Sequence, residues 1–199
     1  MFMKLTIKIL SILFFLTAAK AQVKDTLYSI SADAGIGYSR YLTTLQFKDL
    51  NKNGVSGTLR LMWHPEHLLS IGVETGYQYL YSIKSEIYSD EFGTSSISAS
   101  MISVPLLFVA SMIIFPKTLP NFELNGGGGV YFLFNHGELY ESSIESSVFS
   151  LGYHFGASYL APVNDNLSIG GEIKYFYMSK LQDSNLLFQI LFSYKMITW

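Results

Sequence analysis

The chain has 199 residues, of which 49% are hydrophobic and 16% aromatic, and it contains no cysteine. Its formal net charge of −2 excludes the strongly basic surface that nucleic acid binding requires. The absence of cysteine excludes a disulfide framework, so stability must come from the packed secondary structure itself.

The N-terminal segment has the pattern of a secretory signal peptide. Lys4 and Lys8 precede an apolar run at 9–16, and the small residues Ala19 and Ala21 suit a cleavage site. The apolar run is shorter than the roughly 20 residues that a membrane-spanning helix needs. We therefore predict a cleaved signal peptide at 1–21 and one exported domain at 22–199. Residues 1–21 include three lysines and no acidic residue, so cleavage changes the formal charge from −2 to −5.

Strand candidates follow one another along the rest of the chain, separated by links that alternate between short and long. The candidates span 28–40, 55–63, 69–81, 99–115, 122–134, 148–160, 167–178 and 186–196. The short links are 64–67, 116–121 and 161–166, and the polar links at the other end are 41–54, 82–98, 135–147 and the shorter 179–185. Short turns at one end and longer loops at the other are typical of outer-membrane barrels, with the short turns in the periplasm.

The alternation within the candidates predicts what surrounds them. In the first candidate, apolar residues from Tyr28 to Tyr38 alternate with small or polar residues from Ser29 to Ser39. Ionisable residues within the strand cores fall on the polar side. A soluble barrel would place its apolar side inward, and a soluble β-sandwich rich in Tyr and Phe is the other alternative. We therefore predict an all-β fold, an eight-stranded antiparallel up-and-down transmembrane β-barrel in a bacterial outer membrane.

The fourth candidate is the least regular. Residues 102–114 are apolar on both faces, and Pro105 removes a backbone donor from the ladder. The sequence therefore predicts a bulge or another irregularity at this position.

Aromatic residues near the strand ends predict two girdles at the membrane interfaces. The upper girdle comprises Tyr38, Tyr79, Tyr81, Phe134, Phe149 and Tyr177, and the lower girdle comprises Tyr28, Trp63, Phe115, Phe122, Tyr159 and Tyr194.

Three segments carry a resemblance to a known family. Residues 68–77 resemble its third strand, 102–107 its Ile-Pro-Leu fourth strand, and 125–131 its glycine-rich fifth strand. Residues 22–199 as a whole resemble the small outer-membrane β-barrel family of OmpA- and OmpX-type barrels, especially its PorT-like "outer membrane protein beta-barrel domain" group. This resemblance implies the fold far more than the function.

The C-terminus departs from the family pattern. Such barrels usually end in an aromatic residue that the insertion machinery recognises, and Trp199 is aromatic but out of phase with the apolar side of the last strand. Either a bulge restores the phase or the insertion signal is imperfect.

The inward side of the strands carries a set of ionisable groups that we expect to line the lumen. Side chains fill the interior of an eight-stranded barrel, so these groups should pair with one another. Hairpin pairing predicts one cluster of Asp33, Arg60 and Glu74, and it places His154 near Glu172 and Lys174. We interpret the set as a structural network, and an ion path or gate is the alternative. The full set is Asp33, Arg60, Glu74, Glu123, His154, Glu172, Lys174 and Lys195.

Candidates for catalysis or metal binding are few. His136 is followed by Glu138 and other polar residues, and His154 has serines on its face at a spacing too long for a direct hydrogen bond. His64 and His67 share a turn but lack a third metal ligand, and a solvated turn is the simpler interpretation. The glycine run 126–129 lacks the Lys-Ser/Thr of a phosphate loop, so close packing or a bend explains it better. We predict no catalytic residue, no metal site and no cofactor.

These observations favour a non-enzymatic, porin-like or OmpX-like barrel that acts in membrane integrity or surface interaction, or as an accessory subunit of a secretion or assembly complex. The alternatives are a lipid-modifying enzyme of the lipid A acylase or deacylase kind and a small channel. The expected partners are outer-membrane lipid and lipopolysaccharide, whose phosphate could meet Arg40 at the upper rim, and a larger envelope complex. Nucleic acid is not an expected partner.

Overall fold

The computed structural model describes residues 28–44, 49–66, 68–89, 93–139 and 142–199. The predicted signal peptide at 1–21 and His67 lie outside these ranges. No helix in the described ranges is long and apolar enough to cross a membrane.

The described chain is built from β-strands joined in an antiparallel ring. Each long strand pairs with its sequence neighbour, β1 also pairs with β9, and the pairing of β4 with β5 closes the ring. The two-residue β2 adds to the upper part of β4. The eight-stranded antiparallel barrel predicted from the sequence is therefore confirmed. The strands are β1 Ser29–Leu42, β2 Leu50–Asn51, β3 Asn53–His64, β4 Leu69–Ser89, β5 Gly93–Ile113, β6 Phe122–Leu139, β7 Ser142–Pro162, β8 Leu167–Met178 and β9 Asp183–Thr198.

The direction of the side chains follows the predicted alternation. On β1, Ile36 is 60% exposed on the outer face, whereas Ser39 is 0% exposed and faces the bore. The outer face of the other strands carries large exposed apolar side chains such as Phe108, Leu151 and Ile190. This inversion of a soluble protein's pattern is expected where hydrocarbon surrounds the barrel.

The wall is higher on one side than the sequence predicted. The links 82–98 and 135–147 were expected to be loops, but the β4–β5 ladder continues to Ser89–Gly93 and the β6–β7 ladder to Leu139–Ser142. By contrast, the β1–β3 ladder ends at Arg40–Asn53. The prediction was wrong because polarity was taken to indicate a loop. Backbone hydrogen bonds hold the ladder together, and they form without an apolar face on the strands.

A bulge near Pro105 redirects one predicted girdle residue. The β4–β5 register shifts by one residue between Tyr79 and Tyr81, and the described ladder has no β4 partner at Pro105. Beyond the bulge Tyr81 stacks on the buried Tyr41 with ring centroids 5.6 Å apart. Tyr81 is therefore part of the interior packing, and its assignment to the upper girdle was wrong because simple alternation does not reveal the extra residue.

The other predicted girdle side chains lie on the outer surface. Six are well exposed, namely Tyr28, Tyr38, Trp63, Phe115, Phe134 and Tyr194. Phe149 is also well exposed, whereas Tyr79, Phe122, Tyr159 and Tyr177 are partly buried against their neighbours.

A second bulge resolves the phase of the C-terminus. Ser31 pairs with Lys195 and Ile30 with Ile197, so Met196 is an extra residue in β9. Beyond this extra residue, Ile197 and Trp199 are again in phase with the outer face of the barrel. The Trp199 ring stacks on Tyr28 with centroids 6.3 Å apart. The Trp199 N–H also donates to the Tyr28 carbonyl at 3.2 Å. Of the two alternatives from the sequence, the bulge is confirmed.

We predict that deletion of Met196 leaves the barrel able to fold. Removing the bulged residue keeps Ile197 and Trp199 on the outer face, whereas deletion of Ile190, which is not bulged, turns one part of β9 inside out. Heat-modifiable gel mobility after refolding into detergent measures folding for both variants. Equal loss of the folded band in the two variants would contradict the assignment of the bulge.

Candidate functional site in the bore of the barrel

A buried ionic cluster, which we define as Asp33, Arg60, Glu74, Glu172 and Lys174, crosses the bore. Arg60 on β3 pairs in register with Asp33 on β1 and Glu74 on β4, so the three side chains share the inner face. Its Nε lies 3.5 Å from Asp33 Oδ2 and 3.5 Å from Glu74 Oε2. These contacts join three neighbouring strands, β1, β3 and β4, on one side of the bore.

Glu172 reaches the cluster from β8 on the opposite side. Arg60 Nη1 donates to Glu172 Oε1 at 2.9 Å and Nη2 donates to Oε2 at 3.2 Å. This bidentate geometry is the strongest form of a guanidinium–carboxylate contact. The amide groups of Asn125 and Gln189 also donate to the Glu172 carboxylate.

Lys174 is the second cation of the cluster. Its Nζ donates to Glu74 Oε2 and lies 3.5 Å from Glu172 Oε2. The side chains of Lys174, Glu74 and Glu172 are 0% exposed. Charges removed from water in this way are tolerated only when their partners stay in place, so loss of any member leaves an uncompensated charge.

An apolar plug fills the bore mainly above the ionic cluster. It is formed by buried inward side chains that pack on one another: Tyr41, Met62, Leu80, Met101, Leu107, Val109, Tyr131, Leu133, Phe176, Met178 and Leu187. The sequence predicted a polar lumen, and the upper part of the bore is mixed, because these apolar side chains share it with buried polar ones such as Gln78, Ser103 and Asn185. The bore of eight strands is too narrow for a water channel, so large apolar side chains fill the space that the charged groups leave.

His154 lies between the ionic cluster and the plug. Its ring is 5.5 Å from the Phe176 ring, and neither ring nitrogen has a hydrogen-bond partner among the residues that the structure describes. Gly127 makes room for the imidazole, because a Cβ at that position would lie 2.7 Å from His154 Cε1. Gly127 of the glycine run therefore serves close packing around a buried histidine.

Below the cluster the bore opens into a cavity of about 230 Å³, which we call the lower vestibule. Glu123 and Lys195 line it and do not join the ionic cluster. Glu123 accepts a hydrogen bond from Ser111 at 2.7 Å, and Lys195 is exposed at the mouth. With His154, three of the eight predicted lumen groups therefore lie outside the ionic cluster.

His64 lies at the end of β3 at the edge of the lower vestibule. Its Nε2 is 2.9 Å from Ser31 Oγ, and its Nδ1 is 2.6 Å from Ser70 Oγ. The prediction of a solvated turn histidine was wrong, because β3 extends one residue further and turns this side chain inward. No group of three or more potential metal-binding side chains occurs among the described residues.

The extended wall carries a polar cluster on its outer face, above Phe134. His136 Nε2 lies 3.3 Å from Glu138 Oε1, and its Nδ1 lies 3.4 Å from Glu145 Oε1. Hydrogen bonds from His136 and from Ser98 lower the pKa of Glu138, which lies outside the membrane-spanning part of β6. A groove of about 540 Å³ adjoins this cluster, with Ile102 and Phe134 in its lining.

Comparisons with known proteins agree with this architecture. A family model described as "Outer membrane protein beta-barrel domain" matches residues 8–195. No curated protein sequence matches the chain significantly.

Three solved structures are similar in fold. Ail, the attachment invasion locus protein of Yersinia pestis, is 13% identical, with 84% of this chain and 99% of Ail covered and a TM-score of 0.52. Neisserial surface protein A is 14% identical, with 85% and 99% covered and a TM-score of 0.50. A major outer membrane protein of Thermus thermophilus is 16% identical, with 85% and 99% covered and a TM-score of 0.56.

These identities are low enough that the three structures speak for the fold alone. The family match, however, spans nearly the whole chain and implies a bacterial outer membrane location. This chain belongs to the outer membrane protein beta-barrel domain family.

Proposed function

We propose that this chain is a non-enzymatic, non-conducting barrel that anchors an extracellular β-ribbon in the outer membrane. The observation that carries the proposal is the sealed bore. Without a path through the barrel, the exposed surface above the membrane is the part that can meet a partner. Cleavage of residues 1–21 during export belongs to the same proposal.

The seal consists of two layers in series. The ionic cluster joins β1, β3 and β4 to β8 across the bore, and its five side chains are at most 8% exposed. The apolar plug then closes the bore above it. An ion that crosses would have to break buried ion pairs and then lose its water against Leu, Met and Phe side chains. This argues against the small channel.

The extended wall supports the role in surface contact. β6 continues for five residues beyond Phe134 of the upper girdle, which is roughly 16 Å at the rise of a strand. The ladders of β4 to β7 continue together at this height, so the extension is a paired ribbon with a defined shape rather than a set of separate loops.

The upper rim also has groups that suit the lipid of the outer leaflet. Arg40 is exposed on the outer face of β1, and Lys180 Nζ lies 6.0 Å from the centre of the Phe149 ring. Cations beside interfacial aromatic rings are placed to meet lipid phosphates, including those of lipopolysaccharide. Such contacts would hold the ribbon at a fixed height, whether its partner is lipid or a larger envelope complex.

One observation favours the alternative of a lipid-modifying enzyme. His136 has a carboxylate near each ring nitrogen at the level where lipid A headgroups would lie. A nucleophilic mechanism also needs a hydroxyl bonded to the imidazole. In the described part of the chain, both His136 nitrogens face Glu138 and Glu145, and His136 and Glu145 are 47% and 79% exposed. This exposure argues for an ordinary surface cluster.

Lys174→Met should destabilise the barrel strongly. Removal of the ammonium leaves Glu74 without its closest cation in a dry interior, a change that typically costs about 3–5 kcal/mol. Urea unfolding in lipid vesicles measures the free energy of unfolding. Lys180→Met, which removes an exposed cation, is the matched control and should change it little. Equal losses in the two variants would contradict a role of the cluster in holding the bore closed.

The wild-type protein should give no steady conductance steps in planar lipid bilayers at about 100 mV in ~1 M KCl, because both layers of the seal must open for ions to pass. An open porin reconstituted in the same lipid serves as the positive control. Uniform, reproducible steps from the wild-type protein would refute the non-conducting barrel and support the small channel.

His136→Ala should leave the lipid A of the expressing cells unchanged. Mass spectrometry of lipid A is compared between cells that express the wild-type protein, cells that express the variant and cells that lack both. A wild-type-dependent loss or gain of an acyl chain that disappears in His136→Ala would establish the enzymatic alternative instead.

A further inference from the structure

The lower vestibule is a polar cavity below the ionic cluster, and Met62 of the plug is part of its lining. Its volume is about 230 Å³, and its wall is rich in hydroxyl groups, from Ser29, Ser31, Ser111, Ser158, Ser168 and Ser193. Asp33 and Glu123 add carboxylates to the same wall. Arg60, His64 and Lys195 also line the cavity, and the hydroxyl and carboxylate groups outnumber these three nitrogen-bearing side chains.

The charges around the vestibule do not balance. Between the plug and the lower mouth, the described strands carry the carboxylates Asp33, Glu74, Glu123 and Glu172 but only two buried cations, Arg60 and Lys174. The formal charge of this region is therefore −2. Lys195 and Glu66 at the mouth are both exposed and offset each other. A net negative charge in a mostly dry bore is unfavourable unless a cation lies close by.

Two buried hydroxyl groups point independently to a ligand. Ser29 and Ser158 are 6% and 3% exposed and line the vestibule. Neither side chain makes a hydrogen bond within the described ranges, so both hydroxyl groups are available to a ligand in the cavity. The Glu123 carboxylate accepts a hydrogen bond from Ser111 and has no ion pair within those ranges.

We propose that the lower vestibule binds one hydrated divalent cation of the Mg²⁺ type. Mg²⁺ keeps several of its waters and is commonly held through one or two carboxylates. A fully dehydrated ion would need more direct ligands, and no group of three or more Asp, Glu, His or Cys suited to a metal occurs in the described part of the chain. Asp33 and Glu123 supply the carboxylates that a hydrated ion requires.

The size of the vestibule agrees with a hydrated ion. At roughly 30 Å³ per water, a cavity of about 230 Å³ has room for an ion with most of its first hydration shell. Waters bound to the ion would donate to the hydroxyl oxygens of Ser29 and Ser158 and to the Glu123 carboxylate. The ion also offsets the formal charge of −2, so its binding stabilises the folded barrel.

Binding is measured on the refolded barrel in a lipopolysaccharide-free detergent. Mn²⁺ serves as a spectroscopic substitute for Mg²⁺, and its electron paramagnetic resonance signal should give about one bound ion per barrel. Mg²⁺ should compete for the same site. Saturating Mg²⁺ should raise Tm by about 5 °C relative to EDTA, with NaCl added to match the ionic strength.

Glu123→Gln is the decisive variant. Glutamine has the shape of glutamate and keeps an oxygen that can accept the hydrogen bond from Ser111, but it removes the negative charge. The substitution should weaken Mn²⁺ binding at least tenfold. Glu138→Gln, on the outer surface of the extended wall, is the matched control and should bind as the wild type does. Ser158→Val, which removes a hydroxyl and narrows the vestibule, should also weaken binding and serves if Glu123→Gln does not fold.

Two results would overturn the proposal. The first is the absence of saturable Mn²⁺ binding to the wild-type barrel. The second is binding that is unchanged in Glu123→Gln and in Ser158→Val but lost in Glu138→Gln, which would place the ion in the surface cluster around His136.

Discussion

The closure of the hydrogen-bond ladder is the constraint from which the rest of the structure follows. Hydrocarbon offers no partner to a backbone N–H or C=O, so an open sheet edge within a membrane would cost several kcal/mol for each unpaired group. The pairing of β1 with both β3 and β9 removes that edge. Closure with eight strands also sets a narrow bore, and a narrow bore must be filled by side chains. The ionic cluster and the apolar plug are two solutions to this filling problem.

The ionic cluster adds specificity to the closed ladder. Arg60 and Glu172 are 112 residues apart in sequence and meet across the bore. A one-residue slip of either strand would turn its charged group toward lipid, where it would be very costly. The native register is therefore favoured over its nearest competitors even if the buried pairs contribute little net stability. The plug has no comparable directionality, because apolar side chains tolerate small shifts.

The sequence predicted those features that depend on the direction of side chains. Alternation revealed the strands and the inward position of Arg60 and Glu74, because the membrane makes the two faces chemically opposite. It did not reveal the plug, since an inward Leu107 and an outward Phe108 look alike; the only sign was a strand that is apolar on both faces. The extended wall was missed because its sequence is mostly polar and lacks a regular alternation of apolar residues. Of the two bulges, the one at Met196 left a trace in the phase of Trp199. The one before Tyr81 left only the irregularity predicted around Pro105, which did not show which residue it redirects.

The two ends of the barrel are chemically separate. The plug lies between the lower vestibule and the upper rim, so water and ions that reach Asp33 and Glu123 enter from the end with the short turns. The extended wall and its cluster around His136 face the opposite solution. A change in one region could affect the other only through the strands that they share. Because a hydrogen-bonded ladder has few alternative arrangements, such strands hold the two regions in fixed positions and do not carry a conformational change from one to the other. The vestibule is thus suited to a role in stability and the ribbon to a role in recognition, and a change in one region leaves the role of the other unaffected.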